Sequence, residues 1–187
     1  NVVLQANNDI TVSSAVTANN GSGDGGNLTL QAGRSILVNA NITTDNGDLT
    51  LTANDTGAVA GQRDSGAAAI TMNGSTINTG TGTFTATLST NSTSSDITLN
   101  TVTAGALVIA NNGTTGGSDI LDSGVLTVSG TSSFTTAVSD GAITLDSTNV
   151  FSGAVTLNTN SSSTSANATV DNGTTALTIA ASTVGGD

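Results

Sequence analysis

Leu28-Thr29-Leu30 in "GNLTLQA" returns as Leu49-Thr50-Leu51 in "GDLTLTA", 21 residues later. The near-copy is one instance of a pattern that runs along the chain. It includes "DITV" (9–12), "NLTL" (27–30), "DLTL" (48–51), "AITM" (69–72), "DITL" (96–99), "ALVI" (106–109), "VLTV" (125–128), "AITL" (142–145), "AVTL" (154–157) and "ALTI" (176–179). Each run sets apolar residues two apart, usually around a Thr, which is the period of a β-strand with one buried face. No long stretch holds the 3.6-residue apolar period of a helix, and Gly, Asn, Asp and β-branched residues crowd the sequence.

Taking the first apolar residue of selected runs gives Ile10, Leu28, Leu49 and Ile70, at steps of 18, 21 and 21. After an irregular patch come Leu107, Leu126 and Ile143, at steps of 19 and 17, and Leu177 follows 34 later. Such spacing predicts an all-β fold, a parallel β-helix (β-solenoid) of about nine irregular coils. Leu28 would stack inside on Leu49 at about 4.8 Å, and Thr29 outside on Thr50. Second strands fall between the anchors, for example "SILV" (35–38), and the "NNG" and "DNG" triplets supply turn residues that tolerate positive φ. The alternative is an antiparallel β-sandwich, which the 10-residue step from Ile97 to Leu107 and the 12-residue step from Ile143 to Val155 suit. On the solenoid reading residues 1–187 form a single segment of a larger chain, or a processed product, with a loop insertion at 53–68.

The core of such a solenoid is narrow, which suits a chain with three Phe, no Trp and no Tyr. Phe84, Phe134 and Phe151 are expected inside. Thirteen Asp against two Arg give a formal charge of -11, so the surface repels nucleic-acid phosphates and anionic lipid heads. No run of apolar residues approaches the ~18 of a membrane-spanning helix, so direct membrane insertion is not expected.

The segment "GGNLTLQAGRSILVNANITTDNGDLTLTA" (25–53), with weaker echoes in "GVLTV" (124–128) and "GAITLDS" (141–147), resembles the repeat region of filamentous-haemagglutinin-type exoproteins. These are large bacterial adhesins exported by two-partner secretion. The resemblance implies a right-handed β-helix acting as a shaft that holds binding regions away from the outer membrane. It implies an extracellular or bacterial cell-surface location. The partners it implies are adjoining coils of the same or neighbouring chains and a host or surface glycan or protein ligand. A self-assembling extracellular filament or surface-layer subunit is the related alternative, because solenoid ends expose unpaired strand edges.

No enzyme is expected. The sequence contains no His, Cys, Lys or Glu, so most acid–base and nucleophilic arrangements lack a member. A β-helical polysaccharide-active enzyme working through paired Asp on a neutral glycan stays open as an alternative. So does an ice-binding solenoid, in which Thr11, Thr29, Thr50, Thr71, Thr98, Thr127, Thr144, Thr156 and Thr178 would stack into a flat hydroxyl ladder. No cofactor is required. Calcium is the one candidate ion, because Asp24, Asp45, Asp48, Asp119, Asp122, Asp140 and Asp171 lie in or near turns and supply oxygen ligands, with turn capping as their other reading. Arg34 is expected to pair with Asp48 or Asp55 of the next coil. Loop 53–68 is the first place to look for recognition, since loops on a rigid scaffold commonly carry it.

Overall fold

The computed structural model describes residues 1–160, 162 and 164–186. The chain climbs through seven turns, the first six of three short strands each and the seventh of two. The first holds β1 (Val2–Ala6), β2 (Ile10–Val12) and β3 (Val16–Thr17), and the second β4 (Leu28–Ala32), β5 (Ile36–Val38) and β6 (Ile42–Thr43). The third holds β7 (Leu49–Ala53), β8 (Ala68–Met72) and β9 (Thr76–Asn78), and the fourth β10 (Thr83–Leu88), β11 (Ser94–Leu99) and β12 (Thr101–Ala104). The fifth holds β13 (Ala106–Asn111), β14 (Ile120–Asp122) and β15 (Leu126–Val128), and the sixth β16 (Ser132–Thr136), β17 (Ile143–Leu145) and β18 (Val150–Phe151). The seventh holds β19 (Val155–Asn158) and β20 (Ala168–Val170), and bridges from Val155 to Ile179 and from Asn158 to Thr183 begin another.

Every third strand pairs, in parallel, with its counterpart one turn on. A first sheet runs β1-β4-β7-β10-β13-β16-β19, a second β2-β5-β8-β11-β14-β17-β20, and a third β3-β6-β9-β12-β15-β18. A β-sandwich would need antiparallel ladders, so the solenoid is the architecture adopted. Leu28 does lie against Leu49 and Thr29 against Thr50.

The turns are unequal, and this corrects part of the spacing read from sequence. Leu28 to Leu49 is a full turn of 21 residues, but Leu49 continues to Phe84, 35 residues on. Ile70 does not stack on Leu49; it stacks on Ile36 in the second sheet. Leu107, Leu126 and Ile143 likewise belong to three different sheets, the first, third and second. Strands of all three sheets use the same apolar-Thr-apolar pattern, so a strand of one sheet reads like the next rung of another.

Stacking builds columns of like residues. Ile10, Ile36, Ile70, Ile97, Ile120 and Ile143 form one unbroken column along the second sheet. From Ile36 onward its members are fully buried. β-Branched side chains keep one χ1 on a pleated surface, so identical neighbours nest with little rotamer loss. Phe84 sits in the column of Leu28, Leu49 and Leu107. Phe134 and Phe151 meet edge to face, with ring centroids 5.8 Å apart and an interplanar angle of 73°. All three rings are 0 % exposed.

The corner leading into the first sheet is lined by Gly26, Gly47, Gly82, Gly105, Gly130 and Gly153, each two residues before the first inward position of its strand. At Gly130 a Cβ would sit 2.5 Å from the carbonyl oxygen of Gly105, whose oxygen also accepts the Gly130 N–H at 2.7 Å. Successive turns meet backbone to backbone there, and a side chain would part them. Positive φ is adopted at Asp45 (49°) and Asn46 (68°) in the "DNG" turn of 45–47, and at Gly173 (55°) in that of 171–173. The "NNG" triplets at 19–21 and 111–113 use no positive φ.

Candidate functional site

The corner preceding the isoleucine column shows what the turn aspartates do. A strand entering a sheet leaves the N–H of its preceding residue facing the turn before it, and a short oxygen-bearing side chain in that turn can accept it. Asp9 Oδ1 accepts the Ser35 N–H at 2.9 Å and Ser35 Oγ accepts the Ala69 N–H at 3.2 Å. Higher up, Asp96 Oδ1 accepts the Asp119 N–H at 3.0 Å and Asp119 Oδ1 accepts the Ala142 N–H at 2.7 Å.

The other aspartates named as calcium ligands are also engaged. Asp48 accepts the Thr83 N–H at 2.8 Å, and Asp122 accepts the N–H groups of Asp146 and Ser147 and the side-chain amide of Asn149. Asp140 accepts the Gly117 N–H at 3.2 Å and Asp171 the Gly173 N–H at 2.7 Å. Asp45 accepts the Asn20 N–H at 3.4 Å, and Asp24 accepts from the Asn46 amide at 3.2 Å. Asp24 and Asp45 flank one corner on successive turns, and Asp119 and Asp140 another. Among the described residues no three His, Cys, Asp or Glu gather in a group that could hold a metal ion.

Both arginines fasten one loop. Residues 54–67 leave the stack between β7 and β8, form a single 3-10 turn at Ala60–Gln62, and fold back over the first two turns. Arg34 does not reach Asp48 or Asp55. It grips Asp9 of the turn below with both ends of its guanidinium, Nε lying 2.8 Å from Oδ1, and its Nη1 donates to the Ser65 carbonyl at 2.8 Å. The carboxylate that Arg34 holds comes from the preceding turn and not, as the sequence suggests, from the following one. Hydrogen bonding from Arg34, opposed by desolvation, holds the Asp9 carboxyl below its ordinary 3.8. Arg63 donates to the Gly33 carbonyl at 2.7 Å and to the carbonyls of Asp64 and Gly66. Asn7 completes the fastening by accepting the Val59 N–H and donating to Gln62. The buried Asn54, at φ 55°, turns the chain out of β7 and donates to the carbonyls of Ser89 and Ser92 in the next turn.

Where this loop meets the outer face of the first sheet it borders a polar cavity of about 220 Å³ that is open to solvent on one side. Gln5 and Gln31, stacked outward on β1 and β4, make its floor and share a hydrogen bond of 2.7 Å. Asp55, Gly57 and Ala58 form its wall, and Ala6 and Asn7 its end. Sequence reading pointed at the loop but not at this floor, since Gln5 and Gln31 carry no motif and only the stacking register brings them together.

A second concavity, about 290 Å³ and apolar, lies at the open first turn between Leu4, Ile10, Val12, Val16, Leu28 and Ile42. Leu4 is 52 % exposed there. The threonines do not form one flat ladder. Thr29, Thr50 and Thr156 face out from the first sheet, Thr11, Thr71, Thr98 and Thr144 from the second, and Thr127 from the third, while Thr178 lies outside the strands. The first-sheet column itself is interrupted by Val108. Among the described residues no helix is long and apolar enough to cross a membrane. No family model, curated protein or solved structure matches the chain.

Proposed function

We propose that this chain is a non-enzymatic shaft segment of an extracellular or bacterial cell-surface, adhesin-like protein, a spacer whose task is length and stiffness. The observation that carries the reading is the unbroken parallel ladder through seven turns, in which hydrogen bonds run along the axis and every turn is held by its neighbours. The turn aspartates favour it too, because Asp48, Asp119 and Asp122 accept backbone N–H groups of the following turn, a structural role that accounts for them without catalysis. The charge of -11 keeps such rods apart side by side.

Deleting residues 107–131, one whole turn by the Leu107–Ser132 register, tests it. The expected product is a folded rod of unchanged cross-section shortened by about 4.8 Å in small-angle X-ray scattering. It should release no product from neutral polysaccharides. An unfolded deletion variant, or hydrolysis by the intact chain, overturns the proposal.

The apolar concavity at the first turn favours a second reading, a unit of a filament, because it accepts a further rung from the same chain or another copy. Scattering mass that rises with protein concentration identifies that behaviour, and a concentration-independent mass removes it.

A further inference from the structure

We propose that the cavity between the Gln5–Gln31 floor and the Asp55–Ala58 wall is a binding site for one ring of a neutral pyranoside, a function beyond that of a spacer. Its volume, about 220 Å³, falls below the ~300–1,000 Å³ of sites for drug-sized ligands and suits a single sugar ring. Its polar groups are of mixed kind. Gln5 spends one N–H on Gln31 Oε1, which leaves Gln5 Oε1 and the Gln31 amide N–H groups without a protein partner among the described residues. Asp55 uses Oδ1 to accept the Gly57 N–H at 3.2 Å, and its Oδ2 has no protein partner among them either.

Neighbouring sugar hydroxyls each donate and accept, so adjacent amide donors, amide acceptors and a carboxylate oxygen can satisfy a vicinal diol. The Ala58 methyl in the wall offers the apolar contact that a ring's C–H face needs. No cation lines the cavity, and Asp55 disfavours an anionic sugar, so the class is neutral. The site is also held firmly. Its floor lies on paired strands, and the loop behind its wall is pinned through Asn7, Arg34 and Arg63.

The test is a titration of the full ¹⁵N-labelled chain with methyl glycosides of glucose, galactose and mannose. The expected result is saturable shifts confined to the Gln5 and Gln31 side-chain amides and the Gly57 backbone amide, with a dissociation constant of about 1 mM for at least one sugar. Gln31→Ala lies on an exposed strand face and keeps the fold, as its unchanged melting temperature should verify. It is expected to weaken binding about tenfold, as is Asp55→Asn, which retains an acceptor for Gly57. Methyl glucuronide is expected to bind more weakly than methyl glucoside. No saturable shift at about 100 mM glycoside, or binding indifferent to Gln31→Ala, overturns the assignment. So does saturation of the same amides by calcium or methylammonium when the sugars leave them unmoved, since that makes the cavity a cation site.

Discussion

The carbonyl oxygen of Gly105 accepts the Gly130 N–H at 2.7 Å and lies 2.5 Å from where a Cβ on Gly130 would stand. One atom therefore both ties two turns together and forbids a side chain between them. Gly130→Ala is expected to destabilise the fold by about 2 kcal/mol through this overlap, measured by urea denaturation. A neutral result would mean that the turns can part at this corner without loss.

Asp119 separates capping from metal binding. Asp119→Asn keeps an oxygen for the Ala142 N–H and is expected to stay within about 0.5 kcal/mol of the parent. Asp119→Ala strands that donor and is expected to cost about 1–2 kcal/mol. Calcium is expected to leave the melting temperature of all three proteins unchanged, and a calcium-dependent rise lost in both variants would restore the metal reading.

Ser132 interrupts the Leu107–Val155 column with a buried hydroxyl that has no hydrogen-bond partner among the described residues. Ser132→Ala is expected to stabilise the chain by about 1 kcal/mol, seen as a higher urea midpoint. A lower midpoint would show that the hydroxyl is satisfied in solution.

In the isoleucine column, Ile97 is fully buried between Ile70 and Ile120. Ile97→Ala is expected to cost about 3 kcal/mol, through lost burial and the cavity left in a narrow core that cannot collapse far. Ile97→Val, measured beside it, should cost about 1 kcal/mol.

The Asp9–Arg34 pair makes loop fastening dependent on pH. The folded-state value of Asp9 lies below 3.8, so its stabilising contribution is fully present above that value and is lost as pH falls through the depressed one. Asp9→Asn is expected to melt at a lower temperature than the parent at neutral pH, and the difference should shrink under acid. A gap that persists at the lowest pH would assign it to packing and not to charge.

Much of this could be read from the chain. The period-two runs and the Leu28–Leu49 copy give the strand faces and a true stacking pair, because burial on one side of a strand fixes alternation. The assignment of each run to one of three sheets could not be read, because "AITM" at 69–72 and "DLTL" at 48–51 obey the same burial rule on different faces. The excursion of 54–67 then lengthened one turn and broke the spacing. For the site, the loop was visible as a composition shift. Its Arg34–Asp9 anchor and Gln5–Gln31 floor were not, because contacts 25 and 26 residues apart depend on a register that no local motif encodes.

The unequal turns have a mechanical consequence. Hydrogen bonds between turns point along the axis, so pulling the chain ends apart loads one rung at a time and peels it away. A turn of 23 residues, such as Phe84 to Leu107, would pay out about 80 Å of slack. The Leu49–Phe84 turn, with its 35 residues, would pay out about 120 Å once Arg34 and Arg63 let go. Stretched in an optical trap, the molecule should yield as a staircase with one tall step, its position marking where the loop-bearing rung gives way.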